Sequence, residues 1–173
     1  GDDVQGFNFG DRVVIQPLLS CGVCSLCRDG KTNLCTEMSL IGGELPGGYA
    51  EQVLVPVRSL FKLPDKLDSY NATLVETLAT PVHAFSTKAP ASFDRVAVFG
   101  AGPQGLFAIQ LARLYGASYV AAIDVVPHRI KTALQVGATH AINATENDPV
   151  KVVFEGTKGA GVDLVLEAAG LDI

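Results

Sequence analysis

The sequence predicts an α/β protein in two parts: a β-rich first half with a cysteine lobe, then the first part of a doubly wound parallel sheet. Three observations support this fold class. All four cysteines of the chain lie between Cys21 and Cys35. Short β-like segments separated by Gly and Pro fill the first half. Strand-like runs then alternate with helical patterns, as they do in parallel sheets covered by helices.

The composition indicates a globular protein and argues against two kinds of partner. The chain has 173 residues, 48% of them hydrophobic, and a formal net charge of -5. Its Lys and Arg residues are scattered singly, which argues against a nucleic-acid surface. No apolar run reaches the roughly 18 residues of a membrane span. The first residues do not resemble a secretory signal, so we expect no membrane partner and a reducing, cytoplasmic location.

The composition changes character once, within residues 78–94. Before that stretch, the β-like segments cover residues 11–17, 49–57 and 59–64. We therefore expect one domain over residues 1–88, with a lobe at 21–35, and a second domain over residues 89–173.

The second half alternates strands with helices. We expect strands at 95–99, 118–123, 140–142 and 163–167, and helices at 103–115, 127–136 and 148–157. The strands are almost continuously apolar, which is typical of a parallel sheet covered on both faces.

A glycine motif joins the first of these strands to the first helix. Gly100 permits a tight turn, Gly102 lets a pyrophosphate approach the backbone, and Gly105 lets the helix pack against the strand. Pro103 suits the first position of the helix, because an N–H at that position has no helical partner, and Gln104 is the next helical residue. The free N–H groups of this helix start would face the phosphates, as in a Rossmann dinucleotide-binding unit.

Asp124 ends the second strand of this unit, where a carboxylate can accept hydrogen bonds from both ribose hydroxyls. A 2′-phosphate would meet that negative charge, so the sequence favours NAD over NADP. Asp124 could instead cap the following helix. Arg129 could stack on the adenine, accommodate a 2′-phosphate, or lie in solvent as an ordinary helix residue.

The spacing of the four cysteines predicts a closed metal site. Gaps of two, two and seven residues separate Cys21, Cys24, Cys27 and Cys35. Four thiolates satisfy tetrahedral zinc without an open position, which is typical of a structural site. Disulfides fit poorly between such close neighbours. An iron–sulfur cluster is the serious rival, although the seven-residue gap differs from the bacterial ferredoxin pattern.

These features together resemble the zinc-containing medium-chain dehydrogenase/reductase family, the alcohol, sorbitol and threonine dehydrogenase group. The resemblance implies that the first half of the chain is part of a GroES-like catalytic domain and that the second half belongs to the Rossmann coenzyme domain. The matching stretches beyond the cysteine lobe and the glycine motif are GDDV at 1–4, GDRV at 10–13, GGYAE at 47–51, ETLAT at 76–80 and GVD at 161–163.

The resemblance implies oxidation of a primary or secondary alcohol or polyol, with hydride passing to NAD. In that family a second, catalytic zinc binds the substrate oxygen. Glu76 matches a glutamate at that metal, and Thr80 matches a position that touches the nicotinamide. Thr77 stands where the family usually has proline. Glu76 could instead be an acidic residue in a first helical turn, where a carboxylate favours the helix dipole.

The resemblance also implies that part of the catalytic zinc site is missing. The first catalytic cysteine and a His-Glu pair of the family precede Gly1, so we expect an interior portion that is inactive by itself. A non-catalytic module that binds zinc and NAD is the alternative. Dimers or tetramers are usual in such proteins, so we expect a homo-oligomer at full length.

Overall fold

The computed structural model describes residues 4–170, so Gly1, Asp2 and Asp3 of the first matching stretch lie outside it. The chain divides into two compact units, and the division falls between Val75 and Glu76. The domain boundary predicted after residue 88 remains a prediction. Within residues 4–170, no helix has both the length and the apolar character needed to cross a membrane.

The first unit contains two pairs of short antiparallel strands. β1 (Val13–Ile15) pairs with β4 (Leu60–Lys62), and β2 (Leu18–Leu19) pairs with β3 (Ser39–Leu40). It also contains two short α-helices, α1 (Ser25–Arg28) in the cysteine lobe and α2 (Ser69–Ala72) after β4, and two 3-10 turns at Thr32–Leu34 and Val57–Ser59. β1 and β4 lie within the predicted segments 11–17 and 59–64.

The strand expected within residues 49–57 is absent from this structure, and that prediction was wrong. A strand exists only when a neighbour takes up its N–H and C=O groups. Among the described residues, no backbone hydrogen bond joins 49–55 to another segment. Leu54 is accordingly 99% exposed. The alternation of apolar and polar residues therefore indicates a propensity for β structure, but it does not supply a second strand with which this segment can pair.

The second unit is a four-stranded parallel sheet with helices between its strands. Its strand order is β7 (His140–Asn143), β6 (Tyr119–Asp124), β5 (Arg95–Phe99), β8 (Leu164–Glu167). The predicted doubly wound pattern is confirmed. In chain order the elements are α3 (Leu74–Thr87, which begins just before the unit), β5 (Arg95–Phe99), α4 (Pro103–Leu114), β6 (Tyr119–Asp124), α5 (Pro127–Gln135), β7 (His140–Asn143), α6 (Pro149–Gly156) and β8 (Leu164–Glu167).

Alternate residues of the central strands bury opposite faces of this sheet. Val96 and Val98 of β5 pack in one cluster with Ile109 of α4. Ala97, between them in sequence, packs in another cluster with Val153 of α6. Because successive side chains of a strand point to opposite faces, a sheet covered on both sides needs apolar residues at every position.

The order of the strands creates a crevice between β5 and β8. The chain runs from β5 through β6 to β7 on one side, and then returns to the other side of β5 as β8. Phe99, the last residue of β5, lies opposite Ile123 of β6 and Glu167 of β8. Ligands of such sheets bind at this switch point, outside the carboxyl ends of the strands.

Candidate metal centre and coenzyme cleft

The structure brings all four cysteine sulfurs together. They lie within 4.8 Å of one another, and none is in a disulfide. The Sγ atoms of Cys21 and Cys27 are 3.9 Å apart, and those of Cys24 and Cys35 are 4.0 Å apart. A tetrahedron with metal–sulfur bonds of 2.3 Å has edges of about 3.8 Å. The four thiols therefore fit one tetrahedral metal ion.

The spacing of these sulfurs also favours a single zinc ion over an iron–sulfur cluster. In a [4Fe–4S] cluster each cysteine binds a different iron, so the four sulfurs must spread around the whole cluster. Here the sulfurs have the separation expected around a single ion. The geometry favours zinc, for which four thiolates are a common structural ligand set.

Local backbone structure arranges the cysteine lobe. Cys24 is the N-cap of α1, and its side chain accepts the N–H of Cys27 at 3.4 Å. The N–H groups of Val23 and Glu37 donate to the sulfurs of Cys21 and Cys35, at 3.4 and 3.3 Å. Such bonds orient the ligands and offset thiolate charge, as partners around a metal site do.

Hydrogen bonding and burial shift the pKa values of two of these thiols in opposite directions. The N–H of Cys27 stabilises the thiolate of Cys24 and lowers the pKa of Cys24 to about 6. Burial raises the pKa of Cys27 to about 11, because the charged form loses solvation. A bound metal requires every ligand as thiolate, so its positive charge would have to hold Cys27 ionised.

The glycine loop follows β5 and borders the crevice. Gly100 has a φ of +87°, and a Cβ there would lie 2.6 Å from the backbone nitrogen of Ala169. A Cβ on Gly105 would overlap the carbonyl oxygen of Gly100. Gly102 differs, because nothing lies within 4 Å of a Cβ added to it. Two of the three glycines are thus needed for packing, and the third leaves open space at the start of α4.

Asp124 connects the end of β6 to this loop. One carboxylate oxygen accepts the N–H of Ala101 at 2.7 Å, and the other accepts the N–H of Val126 at 2.8 Å. Burial alone would raise the pKa of Asp124, but these N–H groups and the nearby Arg129 outweigh it, and the pKa is lowered. The carboxylate is therefore a buried anion placed beside the glycine motif.

The structure does not use Asp124 as a helix cap. The N-cap of α5 is Val126, and no side chain caps that helix. Arg129, in the first turn of α5, places Nη1 3.7 Å from the carboxylate of Asp124 while its side chain is 47% exposed. A cation thus stands next to the carboxylate that was expected to bind ribose.

Comparison with known proteins agrees with both halves of this arrangement. Residues 1–65 match the family model for an alcohol dehydrogenase GroES-like domain, and residues 103–172 match that for a zinc-binding dehydrogenase. The L-threonine 3-dehydrogenase of Bacillus subtilis (strain 168) is 37% identical over 170 residues. That match covers 98% of this chain and 49% of the relative.

The chain belongs to the zinc-containing medium-chain dehydrogenase/reductase family.

Other members of the family match over the same extent. The sorbitol dehydrogenase of the same Bacillus subtilis strain is 32% identical over 171 residues, covering 98% of this chain and 48% of that protein. A solved structure from Sinorhizobium meliloti 1021, described as a zinc-binding dehydrogenase bound to NADP, is 35% identical with a TM-score of 0.89. It is matched over 99% of this chain and 51% of its own. The chain therefore spans about half the length of these family members.

The two residues expected from the family pattern at the reaction centre lie on α3. Glu76 and Thr80 are both exposed. Among the described residues, neither side chain forms a hydrogen bond or ion pair with the glycine loop or with Asp124. Their roles at a metal and at the nicotinamide remain predictions.

The structure adds one residue that the sequence analysis did not single out. Glu167 ends β8 at the same edge of the sheet as the glycine loop, and its side chain bonds to the turn that follows. A carboxylate that ends an apolar strand beside a phosphate-binding motif would have been the signal for it.

Proposed function

We propose that the whole protein is an NAD-dependent zinc alcohol or polyol dehydrogenase, which transfers hydride from a primary or secondary alcohol to NAD. The observation that carries this proposal is the bond between Asp124, at the end of β6, and Ala101 of the glycine loop, which follows β5 at the carboxyl edge of the sheet. The threonine and sorbitol dehydrogenases among the relatives support the substrate class.

The coenzyme would lie across the crevice between β5 and β8. The open space at Gly102 admits a pyrophosphate, and the N–H groups of Gln104 and Gly105 lie in the first turn of α4, where the helix dipole favours an anion. Asp124 accepts ribose hydroxyls with the lone pairs left by its two backbone bonds. When bound, NAD supplies the acceptor for the hydride.

The preference for NAD over NADP rests on the carboxylate of Asp124. Because Asp124 is 7% exposed and its pKa is lowered, a 2′-phosphate brought to it meets a fixed negative charge. Arg129 offsets part of that repulsion, and a relative binds NADP. The discrimination is therefore expected to be moderate.

The four-cysteine site would hold zinc for structure, since its four ligands leave no open position for a substrate. A second zinc in the whole protein would bind the alcohol oxygen and lower its proton affinity. We place Glu76 at that second metal, either directly or through water, and Thr80 at the nicotinamide. Within residues 4–170, the four-cysteine cluster is the one group of metal-ligating side chains. The chain alone should then bind coenzyme without oxidising alcohols. The alternative of a non-catalytic module predicts the same result for the chain alone.

Titration of the 173-residue chain with NADH, followed by coenzyme fluorescence, tests the coenzyme site. Saturable binding that is tighter for NADH than for NADPH supports the proposal. Glu155→Gln on the exposed side of α6 is the matched control and should bind as the parent does. A flat titration with both coenzymes would overturn the proposal.

A longer chain that also carries the family's catalytic cysteine and His-Glu segment separates the enzyme from the non-catalytic module. Alcohol-dependent formation of NADH by the extended protein supports a dehydrogenase, whereas coenzyme binding without turnover supports the module.

We also propose a cytoplasmic homo-oligomer, a dimer or tetramer, because these are usual in the family. Light scattering of the extended protein measures the oligomeric state.

A further inference from the structure

Glu167 binds the backbone of two of the three residues that follow it. One oxygen, Oε1, accepts the N–H of Ala169 at 2.6 Å and the N–H of Gly170 at 3.0 Å. The remaining N–H of this turn, from Ala168, donates to the carbonyl of Phe99 at 2.7 Å. All three consecutive N–H groups are thus satisfied, two by the one carboxylate.

The turn at 168–170 packs directly against Gly100, the first glycine of the coenzyme motif. A Cβ on Gly100 would lie 2.6 Å from the nitrogen of Ala169 and 2.7 Å from the carbonyl carbon of Ala168. The two backbones therefore touch with no room for a side chain between them. A shift of the 168–170 turn would be transmitted to Gly100 directly, since packed atoms cannot move independently.

We propose that Glu167 is a positioning residue for coenzyme binding: it fixes the 168–170 turn, and the turn fixes the glycine loop through the contact with Gly100. This inference rests on the proposed function of the crevice as the coenzyme site. Glu167 acts through the backbone, so it need not touch the coenzyme itself.

A competing role predicts the opposite effect of mutation. If the exposed carboxylate of Glu167 only added negative charge beside the crevice, its removal would strengthen binding of the anionic coenzyme. Positioning predicts weaker binding instead. Since one oxygen accepts both N–H groups, a glutamine carbonyl can replace it without the charge. Glu167→Gln therefore separates position from charge.

The experiment compares Glu167→Ala, Glu167→Gln and the control Glu155→Ala in the 173-residue chain. We expect the Kd for NADH to rise about tenfold in Glu167→Ala, because the two hydrogen bonds that hold the 168–170 turn are lost, and to stay within about twofold in Glu167→Gln. Glu155→Ala removes the same charge from α6 and should leave the Kd unchanged. Unchanged or tighter binding by Glu167→Ala, or a loss in Glu167→Gln equal to that in Glu167→Ala, overturns the inference.

A second measurement does not depend on the coenzyme. Amide hydrogen exchange in the ligand-free chain should be about tenfold faster at Ala169 and Gly170 in Glu167→Ala, and faster also at Ala101 across the contact. Parent-like exchange at all three amides overturns the inference even if NADH binds. If the parent chain does not bind NADH, the proposed function fails, and faster exchange at Ala101 still supports the coupling between turn and loop.

Discussion

Arg95 and Asp163 join β5 to the residue that precedes β8 by three hydrogen bonds to one carboxylate. The backbone N–H and Nε of Arg95 each donate to Oδ2 at 2.9 Å, and Nη2 donates to Oδ1 at 2.9 Å. The N–H of Asp163 returns a bond to the carbonyl of Arg95 at 2.8 Å. The pair therefore fixes the start of both strands, at the edge of the sheet opposite the coenzyme crevice.

This pair predicts a specific response of stability to acid. The Arg95 side chain, then its backbone N–H, lowers the pKa of Asp163 from 3.8 to about 2. Between these values the unfolded chain binds more protons than the folded chain, so the stabilisation present above the unfolded pKa is lost as pH falls. We expect Asp163→Asn to be less stable than the parent at pH 6 and to lose less stability between about pH 4 and 2.

Urea unfolding followed by circular dichroism, at pH 6 and near pH 3, measures this difference. Both proteins are compared after removal of zinc, so that acid release of the metal does not contribute. Glu155→Gln removes a charge from an exposed i,i+4 pair on α6 and should keep the parent's pH dependence. Identical pH dependence of the parent and Asp163→Asn would contradict the prediction.

The elements of the second unit could be predicted from the sequence because local pattern determines them. A strand such as β6 is apolar at nearly every position, and α4 begins at a proline after a glycine turn. Every predicted strand and helix there ends within one residue of the observed one. The prediction of a strand within 49–57 was wrong because strand pairing depends on a neighbouring strand that the residues of this segment do not specify.

The metal site could be predicted from spacing, whereas the crevice could be predicted only in part. Four cysteines on a short turning loop have few ways to arrange their sulfurs, and the structure places them around one point. The sequence predicts that Asp124 faces ribose, but its bond to Ala101 depends on the register between β5 and β6, which no local pattern specifies. The role of Glu167 depends likewise on the approach of two loops that are distant in sequence.

The cysteine lobe predicts about one zinc per 173-residue chain. The described residues contain one group of metal ligands, and that group is closed. Elemental analysis after dialysis should give one equivalent in the parent, and Cys24→Ser should no longer retain zinc against a mild chelator. The pure chain should be colourless and should not reduce NAD in the presence of alcohols. Two equivalents of zinc, or turnover, would be inconsistent with this account.

The left-handed backbone conformation of Phe93 predicts that its replacement by glycine stabilises the chain. Its φ of +73° lies in the left-handed region, held there by its N–H bond to Gly116 and by a bond from Ser118 to its carbonyl. That conformation costs a non-glycine residue about 1–2 kcal/mol, of which added glycine flexibility in the unfolded chain cancels part. Because the side chain is 82% exposed, little packing is lost. Phe93→Gly should stabilise the chain by about 0.5–1 kcal/mol.

Thermal unfolding of Phe93→Gly and of Phe93→Ala distinguishes backbone strain from side-chain exposure. Alanine removes the aromatic ring and keeps the left-handed penalty, so Phe93→Ala should not share the gain. Equal stabilisation by both variants would show that the exposed ring, rather than φ, is unfavourable.

The last prediction separates the glycine that admits the coenzyme from a glycine that packs the fold. Nothing lies within 4 Å of a Cβ added to Gly102, and its φ of -71° suits any residue. Gly102→Ala should therefore keep stability within about 0.5 kcal/mol of the parent. The same Cβ enters the space through which a pyrophosphate approaches, so the Kd for NADH should rise at least about tenfold.

Gly105→Ala is the matched variant, because it adds the same methyl group three residues further on. Its Cβ would overlap the carbonyl oxygen of Gly100, so the loop or α4 must move, at a cost of about 1–3 kcal/mol in the free energy of unfolding. Urea unfolding and NADH titration of both variants give the two quantities independently. Parent-like binding by a stable Gly102→Ala would mean that the coenzyme does not pass over this glycine. A stable, parent-like Gly105→Ala would mean that α4 does not pack against the loop as closely as the backbone shows.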